Sequence, residues 1–107
     1  MNEVWKYLTI DGIRTDWSIS NFGFIKNEKG EIVDQYVNAG GYFMFTYKGG
    51  QYYVHRLVAS NFIQKDLAGM HVHHVNHCPW DNRVENLEVL TPSEHARVDN
   101  ALSESTV

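Results

Sequence analysis

The chain has 107 residues, 43% of them hydrophobic, which is enough for one modest core and leaves no room for a second domain. Its formal net charge of −4 argues mildly against a protein that binds nucleic acid through a dense basic surface, because phosphate neutralisation requires Lys and Arg. The single cysteine excludes an internal disulfide framework, and no apolar run approaches the roughly 18 residues that a membrane span needs, so we expect a cytoplasmic protein without a membrane partner.

The N-terminal part of the chain predicts short strands joined by turns. Its strand candidates are residues 4–10, 16–23 and 31–38. Turn residues separate them, at Asp11-Gly12 and at residues 27–30. In the second candidate apolar and polar residues alternate, which would place Trp17 and Ile19 on one face.

The strongest hairpin signal covers residues 42–54. Two aromatic-rich runs flank the sequence Lys48-Gly49-Gly50, a pattern typical of a tight turn. Apolar residues then recur with helical spacing, at Val54, Leu57, Val58 and Phe62. This change of period predicts a short helix over residues 55–63.

The C-terminal part predicts a second hairpin followed by a helix. Its strand candidates are residues 70–75 and 87–90, with a polar loop between them. Thr91, Pro92 and Glu94 are typical of a helix start, with Thr as the N-cap, Pro at the first helical position and Glu completing a capping box. The sequence therefore predicts a helix over residues 92–102 that carries His95 in its first turn.

These elements together predict an α+β fold in one small domain covering residues 1–107. Antiparallel β-hairpins and a short helix come first, and a strand, loop, strand and helix follow. The polar tail, residues 103–107, is expected to fray.

Histidines concentrate in the C-terminal unit. Four lie within seven residues, at His71, His73, His74 and His77, and a fifth is His95. A hydrolytic nuclease needs a base that takes a proton from water and a cation that holds the phosphate, and imidazole suits both tasks. Because adjacent strand residues point to opposite faces, His73 and His74 should not share one task. We favour a metal ligand beside a base.

This stretch resembles the HNH endonucleases of phages and mobile introns, whose ββα-metal fold has the same order of elements. The residues that match the three letters are His74, Asn86 and His95, within the sequences VHHVN, DNRVENL and TPSEH. The ordered combination of these motifs is more specific than any one of them.

The resemblance extends upstream of the nuclease motif. YVHRLVASNFI at residues 53–63 is similar to the segment that precedes this motif in the family, and WSISNFGFIKN at residues 17–27 resembles a module often fused to it. The resemblance implies a β-rich DNA-binding module over residues 1–52 and the ββα-metal nuclease motif over residues 53–102.

The resemblance also implies a role for each matched residue. His74 would be the general base that activates water, and Asn86 would brace the loop so that the base keeps its orientation. His95 and His73 would bind one divalent metal ion. His73 stands where many relatives have aspartate, so that the family implies Mg²⁺ or Mn²⁺ whereas two imidazole ligands favour Zn²⁺ or Ni²⁺.

Double-stranded DNA is the implied substrate, cut to 5′-phosphate and 3′-hydroxyl ends by a monomer or a homodimer. A phage-encoded enzyme of this kind would act in the cytoplasm of the host cell. The acidic excess lies within residues 61–107, so phosphate contacts should come from elsewhere in the chain. The candidates for DNA binding are Lys26, Lys29, Lys48 and Arg56.

Two other functions remain open at this point. One is a DNA-binding module or regulator that keeps the fold but does not cut. The other is a structural zinc domain, although the spacing of the histidines and Cys78 matches structural zinc sites poorly. His71 and His77 fit surface or supporting positions better than ligand positions, whereas His55 and Arg56 are equally compatible with packing and with phosphate contact.

Overall fold

The computed structural model describes residues 2–96 of the chain. Its strands are β1 (Trp5–Ile10), β2 (Ile13–Ser20), β3 (Ile25–Lys26), β4 (Tyr36–Val37), β5 (Phe43–Tyr47), β6 (Gly50–Tyr53), β7 (His71–His74) and β8 (Leu87–Leu90). Helix α1 spans Val54–Phe62, a 3₁₀ turn spans Val84–Asn86, and a second helix begins at Pro92. No helix within the described residues is long and apolar enough to span a membrane.

The strands form three small antiparallel sheets. The first contains β1, β2 and β3 in that order, the second contains β4, β5 and β6, and the third is the β7–β8 hairpin. The third sheet pairs His71 with Leu90 and His74 with Leu87. Antiparallel hairpins, one short helix and a C-terminal hairpin that leads into a helix confirm the predicted α+β fold.

Helix α1 lies at the centre of the core. Val54, Leu57 and Val58 of its apolar stripe are buried, as the helical spacing predicts. They pack with buried strand residues, which are Leu8, Ile10, Ile19, Ile25, Phe45 and Leu87. Because Leu87 belongs to β8, this one core also fixes the β7–β8 hairpin against the N-terminal sheets.

The predicted strand over residues 31–38 is wrong for most of its length. Only Tyr36–Val37 forms a strand, which pairs with β5, and Ile32 makes an isolated bridge to Lys26 of β3. The side chain of Asn27 accepts a hydrogen bond of 3.0 Å from the backbone N–H of Glu31, so the start of this segment is held in a turn instead of a ladder.

Strand β2 begins before the predicted segment 16–23 and ends at Ser20. A turn follows, because the N–H of Gly23 donates to the carbonyl of Ser20 at 3.0 Å and the Ser20 hydroxyl accepts from Phe22 and Phe24. The chain reverses here instead of extending to residue 23. This turn contacts the loop of the third sheet, as described below.

The predicted capping box forms at the start of the second helix, directly after the third sheet. Thr91 Oγ1 accepts from the N–H of Glu94 at 3.2 Å, and the Thr91 N–H donates to Glu94 Oε1 at 2.8 Å. The N–H of His95 donates to the carbonyl of Thr91, which places His95 in the first helical turn. The described residues end at residue 96. The rest of the predicted helix 92–102 and the tail 103–107 therefore lie outside them.

Candidate active site

A surface depression of about 340 Å³ brings the C-terminal imidazoles together. It is lined by Tyr42, Val72, His73, His74, His77, Pro79 and His95. The strand β7, the loop after it, the start of the second helix and the chain before β5 each contribute. A larger depression of about 710 Å³ lies beside α1 around Lys6, Arg56 and Lys65, without a histidine in its lining.

His73 faces a cluster of imidazoles. Its ring centroid lies 5.5 Å from that of His95 and 5.2 Å from that of His77. His71 reaches the same cluster, with its Nδ1 2.7 Å from Nδ1 of His95, so that one of these two rings donates and the other accepts. The structure therefore places the two predicted metal ligands beside each other and adds His71 as a direct partner of His95.

His74 lies among different neighbours. Its Nε2 is 2.9 Å from Oδ1 of Asn82. Its ring centroid lies 5.0 Å from that of His55 and 5.9 Å from that of Tyr42. His74 and Asn82 are both buried. Since an amide oxygen can only accept, Nε2 of His74 donates this hydrogen bond, and in the neutral ring Nδ1 keeps its lone pair.

Asn86 lies at the base of the loop and makes three hydrogen bonds with it. Its Oδ1 accepts from the N–H of Asn76 at 3.0 Å, while its Nδ2 donates to Asn76 Oδ1 and to the carbonyl of Asp81, both at 2.9 Å. The N–H of Val75 also donates to the carbonyl of Asn86. These bonds join the two ends of the loop.

A charged pair stiffens the outer part of this loop. Arg83 donates to both carboxylate oxygens of Asp81 at 2.8 Å and to Glu85 at 2.7 Å. The hydrogen bonds from Arg83, with a further one from Asn76, lower the pKa of Asp81 to about 2. The loop therefore keeps this ion pair well below neutral pH.

The N-terminal sheet supports Asn82. Gly23, in the turn after β2, has φ +91°, and a Cβ added to it would lie 2.9 Å from Cβ of Asn82. The N–H of Val84 donates to the carbonyl of Asn21 at 2.8 Å. The turn and the loop therefore meet backbone to backbone, which only a glycine at position 23 permits.

None of the predicted DNA-binding residues lines the depression of about 340 Å³. Lys29 is exposed in a turn, Lys26 Nζ lies 4.1 Å above the ring of Trp5, and Lys48 Nζ is 5.4 Å from the ring centroid of Tyr47.

Arg56 differs from the three lysines because its guanidinium makes internal hydrogen bonds. Its Nη1 donates to the carbonyl of Met70 at 3.1 Å and its Nη2 to that of Leu67 at 3.3 Å. These bonds give Arg56 a structural role, whereas its DNA contact stays a prediction.

Sequence reasoning did not predict the contacts that Asn82 and His55 make with His74. Asn82 lies in a polar loop where asparagine is ordinary, so no pattern marked it. His55 stands in the segment similar to the family, yet nothing in the sequence places its ring against His74. Both contacts depend on tertiary packing.

The donor set of the depression fits a divalent cation bound by two imidazoles. His73 and His95 are neighbours, and imidazole is a good ligand for zinc, nickel and similar ions. Within residues 2–96, no three His, Cys, Asp or Glu side chains are grouped to enclose a metal ion. The described residues thus do not assemble the closed four-ligand arrangement of a structural zinc site, whereas an open pair leaves positions for water and phosphate.

Comparison with known proteins reaches the same family. The model of the HNH endonuclease family HNH_3 matches residues 52–97. An "Uncharacterized HNH endonuclease" of Acanthamoeba polyphaga mimivirus is 39% identical over 110 residues and matches 94% of this chain. The "SPbeta prophage-derived putative HNH homing endonuclease YosQ" of Bacillus subtilis (strain 168) is 39% identical over 85 residues, or 74% of this chain.

A solved structure of the HNH homing endonuclease I-HmuI, described for its DNA binding and cleavage, resembles 97% of this chain with a TM-score of 0.75 and 26% identity. The chain spans only part of each of these proteins: 27% of the mimivirus protein, 49% of the prophage protein and 60% of the I-HmuI chain. The fold, the matched motif and the identity to these relatives agree, and residues 52–97 of the chain belong to the HNH endonuclease family.

Proposed function

We propose that this chain hydrolyses phosphodiester bonds in double-stranded DNA as a metal-dependent endonuclease. The observation that carries the proposal is the position of His74, whose Nε2 is held by Asn82 while its ring lines the same depression as His73 and His95. A base and two potential cation ligands are thereby brought together around one space. The expected products carry a 5′-phosphate and a 3′-hydroxyl.

His74 is the general base in this proposal. With Nε2–H directed to Asn82, the remaining Nδ1 lone pair can take a proton from a water molecule in the depression. Asn86 supports the base indirectly, because it joins the ends of the loop that carries Asn82. Asn82 thus orients the base, and Asn86 positions the loop.

His73 and His95 would hold the divalent cation, which would supply a Lewis acid for the phosphate and the leaving oxygen. The Nδ1 contact between His71 and His95 supports this assignment, because metal-binding imidazoles usually have their other nitrogen fixed by a hydrogen bond. Two imidazoles favour Zn²⁺ or Ni²⁺, and the family resemblance favours Mg²⁺ or Mn²⁺.

The mimivirus and prophage relatives support an origin in a phage or a mobile element, with action in the cytoplasm of a host cell. One candidate site per chain would cut one strand per encounter, so cleavage of both strands would require a homodimer or two successive nicks.

A DNA-binding module that does not cut is the second candidate. The net charge of −4 and the internal hydrogen bonds of Arg56 give this chain few free cations for phosphate. Weak binding of that kind is compatible with either a regulator or a nuclease that acts together with other segments.

A plasmid-nicking assay with Mg²⁺, Mn²⁺, Zn²⁺ and Ni²⁺ separates the two candidates. The wild-type chain should convert supercoiled plasmid to the nicked form with at least one of these ions, and His74→Ala should lower the rate by about 10² to 10⁴. Circular dichroism checks that the variant remains folded. No cutting by the wild type with any ion, together with retained DNA binding, would favour the regulator.

A further inference from the structure

His55 is a buried polar residue to which the proposed chemistry gives no role. It is the second residue of α1 and is 7% exposed. Within residues 2–96, its Nδ1 is the one buried side-chain nitrogen or oxygen atom without a hydrogen-bond partner. Because an unpaired buried polar atom lowers stability, packing alone would favour an apolar side chain at this position.

The ring of His55 lies among three other rings. Its centroid is 5.0 Å from that of His74, 5.2 Å from that of Tyr42 and 5.3 Å from that of Tyr53. Tyr42 also contacts His74 and lines the depression. His74 therefore packs against this wall of rings while its Nε2 is held by Asn82.

The imidazole of His55 is uncharged. Burial, with smaller contributions from the neighbouring His74 and Arg56, lowers the pKa of His55 to about 3. A neutral ring can pack against His74 without electrostatic repulsion in either protonation state of that residue.

The adjacent residue also connects α1 to β7. Arg56 donates to the carbonyl of Met70, which directly precedes the first residue of β7. Helix α1 thus holds the start of β7 through Arg56 and contacts its end, at His74, through His55. The two side chains together fix the strand that presents the proposed base.

We propose that His55 is a positioning residue for His74: its buried ring keeps Nε2 of His74 on Asn82, so that Nδ1 is the nitrogen left to accept a proton from water. The inference rests on the proposed role of His74 as the base. An imidazole is smaller than a phenyl ring and flatter than an aliphatic side chain, so that it fills the space beside His74 without displacing it. This explains why a polar ring occupies a site where packing favours an apolar one.

The test uses His55→Phe and His55→Leu in the full chain. Thermal unfolding, DNA affinity, the single-turnover cleavage rate and the ¹⁵N NMR signals of the His74 ring are measured for both variants. We expect an unchanged or higher unfolding midpoint, unchanged DNA affinity and a cleavage rate lower by about 10- to 100-fold, because small displacements of a reacting group have effects of this size. The His74 ring should change from one tautomer, protonated on Nε2, to a mixture of two.

Wild-type cleavage by both variants would overturn the inference, and so would a single Nε2-protonated tautomer of His74 in both. Failure of both variants to fold would show that His55 is needed for stability and would also overturn it. If the wild-type chain cuts no DNA with any metal ion, the proposed function fails, but the tautomer measurement still decides whether His55 positions His74.

Discussion

The side-chain oxygen of Asn82 lies 2.9 Å from Nε2 of His74, and both residues are buried, His74 at the end of β7 and Asn82 in the loop that joins β7 to β8. This hydrogen bond selects the tautomer of His74 and limits rotation of its ring. A base with a fixed ring needs no reorientation when water binds. The orientation of the proposed base therefore depends on a residue outside the three that match the letters of the family.

Asn82→Ala should lower the cleavage rate by about 10- to 100-fold while DNA affinity stays unchanged, because the His74 ring loses its orientation. The buried Nε2–H also loses its acceptor, which should cost about 1–3 kcal/mol of unfolding free energy. Asn82→Asp keeps an acceptor at this position and should retain more activity than Asn82→Ala. Equal rates in Asn82→Ala and the wild type would show that Asn82 does not orient the base. Single-turnover cleavage and urea denaturation measure both effects.

Gly23→Ala tests the contact between the N-terminal turn and Asn82. An added Cβ would lie 2.9 Å from Cβ of Asn82, so that the loop carrying Asn82 must shift. Gly30→Ala is the matched control, because Gly30 has φ +79° and open space around it. Both variants should lose about 1–2 kcal/mol through left-handed backbone strain, while Gly23→Ala loses more and also cuts more slowly.

The two glycine variants are compared by urea denaturation and by cleavage rate. Equal losses of stability and equal cleavage rates would mean that the turn after β2 and the loop between β7 and β8 are not coupled through this contact.

Much of the structure of β7, β8 and the helix start after them could be predicted, because the sequence patterns that indicate it are local. The capping box at Thr91 and Glu94 depends on residues three apart, and it forms as predicted. The alternation of β7 likewise places His73 towards His95 and His74 towards Asn82.

The contacts made by His74 could not be predicted in the same way. Its ring meets His55, which comes from α1, and Asn82, which is supported by Gly23 of the first sheet. Such contacts depend on how α1 packs between the sheets, and no periodicity in the sequence reports that packing. The strand predicted over residues 31–38 is wrong for a different, local reason, since the side chain of Asn27 engages the backbone of Glu31 in a turn.

Measurements of metal affinity distinguish the two proposed metal ligands from the proposed base. His73→Ala and His95→Ala each remove one of two neighbouring imidazoles and should weaken binding of Mn²⁺ or Zn²⁺ by at least about 10- to 100-fold, the loss typical for a partner that only supports a ligand. His74→Ala should bind the ion almost normally and fail to cut. Calorimetric titration compares the three variants, and an equal loss of affinity in all of them would mean that the base is wrongly assigned.

The low pKa of His55 predicts a pH dependence of stability. The ordinary histidine pKa of 6.5 is lowered to about 3 in the folded chain, so the unfolded chain binds one more proton between these values. Stability should therefore fall as the pH falls from about 6.5 towards 3, by up to about 1.4 kcal/mol per pH unit from this residue alone. His55→Phe should show a shallower fall over this range in urea denaturation. Identical pH profiles for the two proteins would contradict the low pKa.

The salt dependence of DNA binding tests the predicted cationic surface. If Lys26, Lys29 and Lys48 contact phosphates, replacing each by Ala should reduce the slope of log affinity against log salt concentration by about 0.9. Arg56→Ala should reduce the slope equally and should also lower stability, because its hydrogen bonds to the carbonyls of Leu67 and Met70 are lost.

Lys65→Ala is the matched control, since Lys65 is an exposed lysine on the loop after α1 and is not among the predicted contacts. Its slope should equal that of the wild type. Fluorescence anisotropy with duplex DNA over a series of salt concentrations measures all five variants. If Lys26→Ala and Arg56→Ala both keep the wild-type slope, the phosphate contacts lie on another surface. Arg83, in the loop between β7 and β8, is then the residue to replace next.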